Sequence, residues 1–186
     1  MTVTASKYAR AANELYQTEP WATEVLLRHF PMSGLGVWEP AVGNHLMADV
    51  LRDRGAIVMT SDIAQYDRAH DRLFDFLTGD WLEAPGYFHA IITNPPYGKG
   101  NRLAVRFAEL SLERCDGMVA LLLTAKFDFG KTRRHLFQNN PRFMAKIALL
   151  DRISWAGNGE TGTEDHAWYV WGPGSYPQAK MLWGNK

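Results

Sequence analysis

The four residues Asn94-Pro95-Pro96-Tyr97 place an amide, a carbonyl and an aromatic ring side by side at the end of a short apolar run. Two consecutive prolines can neither donate to a β-ladder nor continue a helix, so they end a strand and hold the backbone extended. Open α/β sheets bind their ligands beyond the carboxyl ends of the strands. The tetrapeptide therefore predicts a rigid group of polar atoms at a binding crevice.

The chemistry that suits this group is the handling of an amino group on a planar base. The Asn94 side-chain oxygen and the Pro95 carbonyl can each accept one N–H hydrogen bond, and Tyr97 can stack on the ring. Accepting both hydrogens concentrates electron density on a nitrogen whose lone pair is otherwise delocalised. Such a nitrogen can attack an activated methyl group directly, with positioning and hydrogen bonding as the catalysis. The alternative interpretation is a strand-terminating turn with no catalytic role.

Further segments have the composition of a cofactor site. The small-residue turn Glu39-Pro40-Ala41-Val42-Gly43 follows the first predicted strand and lets a ligand approach the backbone. Asp62, followed by Ile63, comes 19 residues after Gly43, near the spacing at which an acid binds ribose hydroxyls. Gly79-Asp80-Trp81 offers a carboxylate and a ring that suit an amino group and an adenine face. Each acid could instead be a cap or a solvated surface residue.

The elements that must hold these residues alternate between apolar runs and amphipathic segments, which is typical of a βαβ protein with a buried parallel sheet. The predicted strands are Gly36–Ala41, Ile57–Ile63, His89–Thr93, Met118–Thr124, Lys146–Asp151 and His166–Trp171, with a weak one at Phe74–Leu77. The predicted helices are Ala22–His29, Leu46–Arg54, Leu103–Arg114 and Thr132–Gln138. The segment Ser154–Asp165 is rich in Gly, Thr and Asn, which predicts a mobile loop.

Length and charge narrow the class of protein. The 186 residues suit one domain, residues 1–186. The 20 Lys and Arg balance the 20 Asp and Glu, which disfavours a polybasic protein that holds nucleic acid by bulk charge. The single cysteine, Cys115, cannot build a disulfide framework or a thiolate metal site, and the scattered histidines predict no metal. Without a long apolar run or a signal peptide, we expect a cytoplasmic protein that does not contact membranes.

Taken in order, these segments resemble the motifs of the class I, S-adenosylmethionine-dependent methyltransferases, and specifically the amino-methyltransferases that act on adenine N6 in DNA. An N-terminal motif at Tyr16–Pro20 precedes the Glu-Pro-Ala motif and then the Asn-Pro-Pro-Tyr motif, which corresponds to the γ group. The resemblance covers most of the chain. It implies a Rossmann-like α/β fold, with a mostly parallel seven-stranded sheet, helices on both faces and an antiparallel last strand. It also implies S-adenosylmethionine as the cofactor.

The resemblance assigns roles residue by residue. Asn94, Pro95, Pro96 and Tyr97 match the catalytic tetrapeptide. The cofactor-binding residues would be Tyr16, Thr18, Glu39, Pro40, Ala41, Gly43, Asp62, Ile63, Asp80 and Trp81. His166 and Trp168, at the start of a late strand, would border the pocket of a target base that is flipped out of the duplex. The pattern departs from the family at Glu19, which splits a Thr-Pro pair, and at His89, where an aspartate is common.

Although the net charge of the whole chain is zero, one segment is basic. Residues 126–152 contain seven Lys and Arg against two Asp and Glu, which indicates a contact with nucleic-acid phosphates. The candidate contacts are Lys99, Arg102, Lys126, Lys131, Arg133 and Arg134. The alternative is a solvated helix face. Because the catalytic fold would take nearly the whole chain, specificity would come from short loops, a homodimer or a separate specificity partner rather than from a target-recognition domain.

The sequence therefore predicts an enzyme that methylates N6 of a flipped adenine in DNA. One alternative is an amino-methyltransferase that acts on an RNA base or on a glutamine amide of a protein, because those target nitrogens are conjugated and planar as well. A second alternative is a catalytically silent subunit that binds a partner.

Overall fold

The computed structural model describes residues 16–82, 84, 86–155 and 157–186, which form an eight-stranded sheet flanked by three α-helices. The helices are α1 (Pro20–His29), α2 (Leu46–Asp53) and α3 (Arg102–Arg114). The strands are β1 (Gly36–Glu39), β2 (Ile57–Asp62), β3 (Arg72–Leu73), β4 (Ala90–Thr93), β5 (Met118–Thr124), β6 (Phe143–Leu149), β7 (His166–Trp171) and β8 (Lys180–Gly184).

The strand order across the sheet is β3-β2-β1-β4-β5-β7-β6-β8. β7 runs antiparallel to β5 and β6, and the other neighbouring pairs of this sheet are parallel. The predicted Rossmann-like α/β fold is thereby confirmed, and its antiparallel strand is the predicted His166–Trp171. The sheet has eight strands rather than seven because β8, which the sequence analysis did not predict, adds a parallel edge strand beside β6.

The side chains of the central strands alternate between two cores, one on each face of the sheet. In β5, Ala120 and Leu122 lie in the first core, and Val119 and Leu121 lie in the second. Helices α1 and α2 pack into the first core, whereas α3 packs into the second. Burial on both faces explains why β5 is a continuous apolar run, and the predicted helices on both faces are present.

The segment that follows β5 differs from the predicted helix at Thr132–Gln138. It forms two 3-10 turns, Phe127–Phe129 and Lys131–Arg133. Phe127 and Phe137 are both buried in the second core, with their ring centroids 6.1 Å apart. These anchors hold the segment against the sheet, where a regular amphipathic helix does not form.

The weak strand predicted at Phe74–Leu77 also differs from the structure. The strand is β3, two residues long, and it pairs with the end of β2. Phe74 and Phe76 are buried around Trp38, at centroid distances of 5.8 and 5.3 Å. Aromatic packing therefore shapes this segment more than a β-ladder does.

Among the residues that the structure describes, no helix combines the length and the apolar character that crossing a bilayer requires.

Candidate active site

A cavity of about 240 Å³ opens beyond the carboxyl ends of β1, β2 and β4, against α3. Its walls are formed by Tyr16, Pro40, Ala41, Gly43, Asp62, Ile63, Tyr66, Phe74, Asp75, Phe76, Leu77, Asn94, Pro96, Leu103 and Phe107. Three predicted motifs thus meet at one place, because parallel strands that end at the same edge of a sheet bring their following turns together.

The turn after β1 brings a backbone amide to the acid that ends β2. Gly43 has a φ of +53°, a left-handed conformation that glycine adopts without steric cost. Its N–H donates to Oδ2 of Asp62 at 3.0 Å. Asp62 is buried, and its Oδ1 lies 3.5 Å from the hydroxyl of Tyr66. The carboxylate therefore has a fixed position in the cavity wall, where it can accept hydrogen bonds from the hydroxyls of a ligand.

Glu39 is the last residue of β1 and lies behind the turn rather than in the cavity wall. It is only 2% exposed, and its Oε2 has no hydrogen-bond partner among the described residues. Burial raises the pKa of Glu39 well above its ordinary value; the positive charge of Arg52 opposes this shift, and the negative charge of Asp62 adds to it. A carboxyl in this setting ionises more readily when a cation is placed beside it.

Residues 64–71 close over the turn after β1 through polar contacts that the sequence analysis missed. Asn44 donates to the Asp67 carboxylate at 2.8 Å, and the rings of His45 and His70 share an N–N hydrogen bond of 2.8 Å. His45 has a φ of +70°, a left-handed conformation that non-glycine residues rarely adopt. These contacts join residues far apart in sequence and form no recognisable motif.

The aromatic side of the cavity is formed by Phe74–Leu77. Within it, Asp75 Oδ1 accepts a hydrogen bond from the backbone N–H of Leu77 at 2.9 Å. The predicted Asp80 and Trp81 are not part of the wall: Asp80 is exposed, and Trp81 packs on Trp38 at a centroid distance of 5.7 Å. The order of an acid followed by an aromatic residue occurs twice in this region, and only the structure distinguishes the two occurrences.

Asn94 connects the tetrapeptide to the N-terminal segment. Its Nδ2 donates to Thr18 Oγ1 at 3.2 Å and to the Tyr16 carbonyl at 3.4 Å. A backbone carbonyl can only accept, so these contacts identify which side of the amide is Nδ2. The other amide atom, Oδ1, is buried and has no hydrogen-bond partner among the described residues. A buried acceptor left unpaired costs about 1–3 kcal/mol, so this oxygen is suited to a donor on a ligand.

The rest of the tetrapeptide is held against the sheet. Pro95 is buried, and Pro96 lines the cavity. The hydroxyl of Tyr97 donates to the carbonyl of Leu122 in β5 at 3.2 Å, and its ring packs against the second core. This tie fixes the position of the Tyr97 ring. Pro95 and Tyr97 are not among the residues that line the cavity, whereas Asn94 and Pro96 are.

Aromatic rings lie around the first residue of β7. Trp155 contacts both Tyr16 and His166 edge to face, at centroid distances of 6.1 and 4.9 Å. Burial lowers the pKa of His166 to about 4. Its Nδ1 lies 3.1 Å from the Glu164 carbonyl, which assigns the proton to Nδ1 and leaves Nε2 as an acceptor. His166 is therefore neutral at physiological pH.

Two residues of the predicted site are buried behind the cavity. Trp168 is fully buried in the first core, and its indole N–H donates to the Ala22 carbonyl at 2.7 Å. Thr18 is 5% exposed and contacts Asn94. Neither residue lines the cavity.

The predicted phosphate-contacting cations divide into two groups. The exposed ones are Lys99, Arg102, Lys126, Lys131 and Arg134. Arg133 is half-buried, donates to the Phe127 carbonyl and lies 4.8 Å above the Phe127 ring. Phe129 is 79% exposed in the same segment. This segment therefore presents an exposed aromatic ring together with exposed cations.

Two other cations of the basic segment hold the fold together. Arg142 donates to the carbonyls of Leu112, Cys115, Gly117 and Gly172. Lys146 forms an ion pair with Asp128 at 3.0 Å and donates to the Ala125 carbonyl at 2.8 Å. Part of the positive charge of this segment therefore interacts with carbonyls and a carboxylate of the protein itself.

The single thiol lies away from the cavity. Cys115 follows α3, is buried, and lies 3.5 Å from the Met118 carbonyl. Burial raises the pKa of its thiol, which disfavours the thiolate that a nucleophile requires. Among the described residues, no group of three or more His, Cys, Asp or Glu could hold a metal ion.

No protein-family model and no curated protein sequence matches the chain. Solved structures do match. A provisionally assigned RNA methyltransferase of Pyrococcus horikoshii has a TM-score of 0.66 and 18% identity over 89% of this chain and 90% of that one. A provisionally assigned class I S-adenosylmethionine-dependent methyltransferase of Listeria monocytogenes has a TM-score of 0.62 and 10% identity, over 88% of this chain and 62% of that one.

The M protein of the type I restriction enzyme EcoKI is also similar, with a TM-score of 0.59 and 13% identity over 86% of this chain. The chain spans 45% of that protein's length. These likenesses, together with the sheet order and the cavity beyond its carboxyl edge, identify the fold: the chain has the Rossmann-like fold of the class I methyltransferases.

Proposed function

We propose that the chain is an S-adenosylmethionine-dependent methyltransferase that transfers a methyl group directly to N6 of an adenine flipped out of DNA. The observation that carries this proposal is the Asn94 amide, which lines the cavity and whose Oδ1 is buried without a partner in the described part of the chain. An acceptor in that state is matched by an N–H donor, and an exocyclic amino group supplies one.

The cavity walls fit S-adenosylmethionine by their chemistry. Asp62 would accept hydrogen bonds from the ribose hydroxyls. Asp75 would take the place near the cofactor adenine that the sequence analysis gave to Asp80, because Asp75 lines the cavity beside Phe76. Glu39 supplies a second carboxyl behind the turn, and a positive charge on the ligand favours its ionised form.

When bound, S-adenosylmethionine supplies a methyl group attached to a positively charged sulfur. Asn94 Oδ1 and the Pro95 carbonyl accept the two amino hydrogens of the base, and the Tyr97 ring stacks on it. With S-adenosylmethionine held beside Asp62, the nitrogen lone pair would accept the methyl group, and the electron pair of the broken C–S bond would stay on sulfur. The nitrogen loses one proton to water. The protein contributes orientation and fixed dipoles, and no covalent intermediate forms.

The exposed cations and Phe129 support a nucleic-acid substrate, and the likeness to the EcoKI M protein supports DNA in particular. Lys99 lies just before α3 and Arg102 is the first residue of that helix. Because Leu103 and Phe107 of α3 line the cavity, the two cations would contact phosphates near the target base. Tyr16, Trp155 and His166 would border the flipped base. A second copy of the chain or a separate subunit would supply sequence recognition.

A second candidate is an amino-methyltransferase that acts on an RNA base. It is favoured by the likeness to the Pyrococcus horikoshii protein, 90% of which this chain covers. The chemistry at Asn94 would be the same, since the target nitrogen is again conjugated with a ring.

The experiment that tests the proposal is incubation of the purified protein with methyl-labelled S-adenosylmethionine and, separately, DNA, RNA or protein. The expected product is N6-methyladenine in DNA, identified by nucleoside analysis. Label in RNA would establish the second candidate, and label in glutamine would establish a protein substrate. Absence of transfer to all three, with no cofactor binding by calorimetry, would contradict the proposal and favour a silent subunit.

A further inference from the structure

We infer that Thr18 is a positioning residue, whose hydroxyl anchors the Asn94 amide in the orientation that the Tyr16 carbonyl selects, with Oδ1 rather than Nδ2 toward the substrate amino group. This inference rests on the proposed function, and it gives Thr18 a role other than contact with the cofactor. Its basis is the hydrogen bond between Asn94 Nδ2 and Thr18 Oγ1.

The orientation of the Asn94 amide has to be set by the groups that surround it. The oxygen and the NH₂ group of an amide have nearly the same shape, so a rotation of 180° exchanges them at little steric cost. In the rotated form, Asn94 would present a donor to an amino group that is itself a donor, and the contact would be lost. The hydrogen-bond partners on the other side of the amide therefore determine whether Asn94 can act.

Two acceptors lie on that other side. The Tyr16 carbonyl is 3.4 Å from Nδ2, near the limit for a hydrogen bond, whereas Thr18 Oγ1 is at 3.2 Å. The carbonyl can only accept, so it selects the orientation with Nδ2 toward it, whereas the hydroxyl, which can also donate, adds the shorter contact that holds the amide in place. Thr18 is 5% exposed, so water has little access to replace it.

The position of Thr18 is held by its neighbour, Glu19, which occupies the N-cap position of α1. Glu19 Oε2 accepts hydrogen bonds from the Ser154 backbone N–H at 2.8 Å and from the Trp21 indole N–H at 3.0 Å. Lys186 approaches the other carboxylate oxygen at 3.6 Å. Burial opposes ionisation of Glu19, but these donors and the lysine charge lower its pKa. The segment that carries Thr18 is thereby tied to two later parts of the chain.

The test compares Thr18→Val, which keeps the shape and removes the acceptor, with Thr18→Ser, which keeps the acceptor. We expect kcat for methyl transfer to fall about 10-fold or more in Thr18→Val and to stay within about 3-fold of wild type in Thr18→Ser. The Kd for S-adenosylmethionine should change less than about 2-fold in both. In the Asn94→Ala background, Thr18→Val should have no further effect.

A readout that does not need activity is the Asn94 side-chain NH₂ resonance in ¹⁵N-labelled protein. Its protons should be protected from solvent exchange in wild type and Thr18→Ser, and should lose protection in Thr18→Val. If Thr18→Val does not fold, Thr18→Ala carries the same expectations. Unchanged protection and kcat in the folded valine or alanine variant would overturn the inference, as would equal loss in the serine variant or a loss confined to cofactor affinity.

The proposed function and this inference fail in different ways. If wild-type protein methylates none of the substrates, the proposed function fails, and the exchange measurement alone decides whether Thr18 orients the amide. If wild type methylates DNA and Asn94→Ala does not, but Thr18→Val behaves as wild type in both readouts, the proposed function stands and the inference on Thr18 is wrong.

Discussion

The backbone N–H of Gly43 donates to the Asp62 carboxylate at 3.0 Å, and this contact joins the turn after β1 to the end of β2. The bond holds the acid in the cavity wall and occupies one lone pair of Oδ2. The other oxygen, Oδ1, has two long contacts, with the Ala64 N–H at 3.4 Å and the Tyr66 hydroxyl at 3.5 Å, so the carboxylate retains capacity to accept hydrogen bonds from a ligand. A single contact therefore fixes both the shape of the turn and the direction of the acid that we propose binds ribose.

Asp62→Asn should weaken S-adenosylmethionine binding. The amide keeps the size of the side chain but loses the charge and one acceptor, so we expect Kd to rise about 10- to 100-fold, the equivalent of losing a charge-assisted hydrogen bond. Calorimetric titration measures this. Asp53→Asn, an exposed acid at the end of α2, is the matched control and should bind as wild type. Equal affinities of Asp62→Asn and the control would contradict the assignment.

Glu39→Gln should stabilise the protein without cofactor at neutral pH. Burial raises the Glu39 pKa, so the folded state holds a proton that the unfolded state releases above pH about 4.5. This group therefore contributes stability at low pH that is lost as pH rises through the folded pKa. The difference in unfolding free energy between Glu39→Gln and wild type should grow from pH 4.5 to pH 8, measured by urea denaturation. A constant difference would show that Glu39 does not stay protonated.

His166 should make the fold sensitive to acid. Burial lowers its pKa from 6.5 to about 4, so the unfolded state takes up a proton first as pH falls. The stability from this group is present above pH 6.5 and declines toward pH 4, by about 3 kcal/mol in total. His166→Asn keeps a donor near the Nδ1 position and should lose less unfolding free energy over that range. The exposed His135→Asn serves as a control, and a slope in His166→Asn equal to that of wild type would argue against the mechanism.

The exposed cations should determine the salt dependence of DNA binding. Replacing Lys126, Lys131 or Arg134 with Gln should each weaken binding and reduce the slope of log K against log salt by about 0.9 for each phosphate contact removed. Fluorescence anisotropy at several salt concentrations measures the slope. Lys180→Gln, on the edge strand β8, is the matched control. If the three variants and the control gave the same slope, the DNA would have to bind elsewhere.

Much of the architecture could be predicted because central strands have distinctive sequences. The strand Met118–Thr124 was predicted with the correct bounds, because its residues Met118–Leu123 form an uninterrupted apolar run that is buried on both faces of the sheet. β8 could not be predicted in this way, since it is an edge strand with alternating exposed and half-buried residues and becomes a strand only by pairing with β6. The helix expected at Thr132–Gln138 is replaced by successive turns, in which the N–H groups of Leu136 and Phe137 bond to carbonyls three residues earlier and both side chains are buried.

In the candidate site, too, the residues at strand ends could be predicted, and those placed by long-range packing could not. Asp62 ends β2 and Asn94 directly follows β4, so the order of elements brings them together. The placement of Asp75 rather than Asp80 in the cavity depends on the packing of Trp81 onto Trp38, which composition does not reveal. The contact between Thr18 and Asn94 joins positions 76 residues apart. Such long-range polar contacts leave no periodic signal in a sequence.

The most direct test of the account is single-turnover methyl transfer from labelled S-adenosylmethionine to DNA by wild type, Asn94→Ala and Asn139→Ala, with cofactor affinity measured in parallel. Asn139 is exposed, so it provides the control. The account predicts that Asn94→Ala reduces transfer by about 100-fold or more while Kd for the cofactor stays within about 3-fold of wild type and Asn139→Ala behaves as wild type. Transfer by Asn94→Ala at the wild-type rate would contradict the central claim.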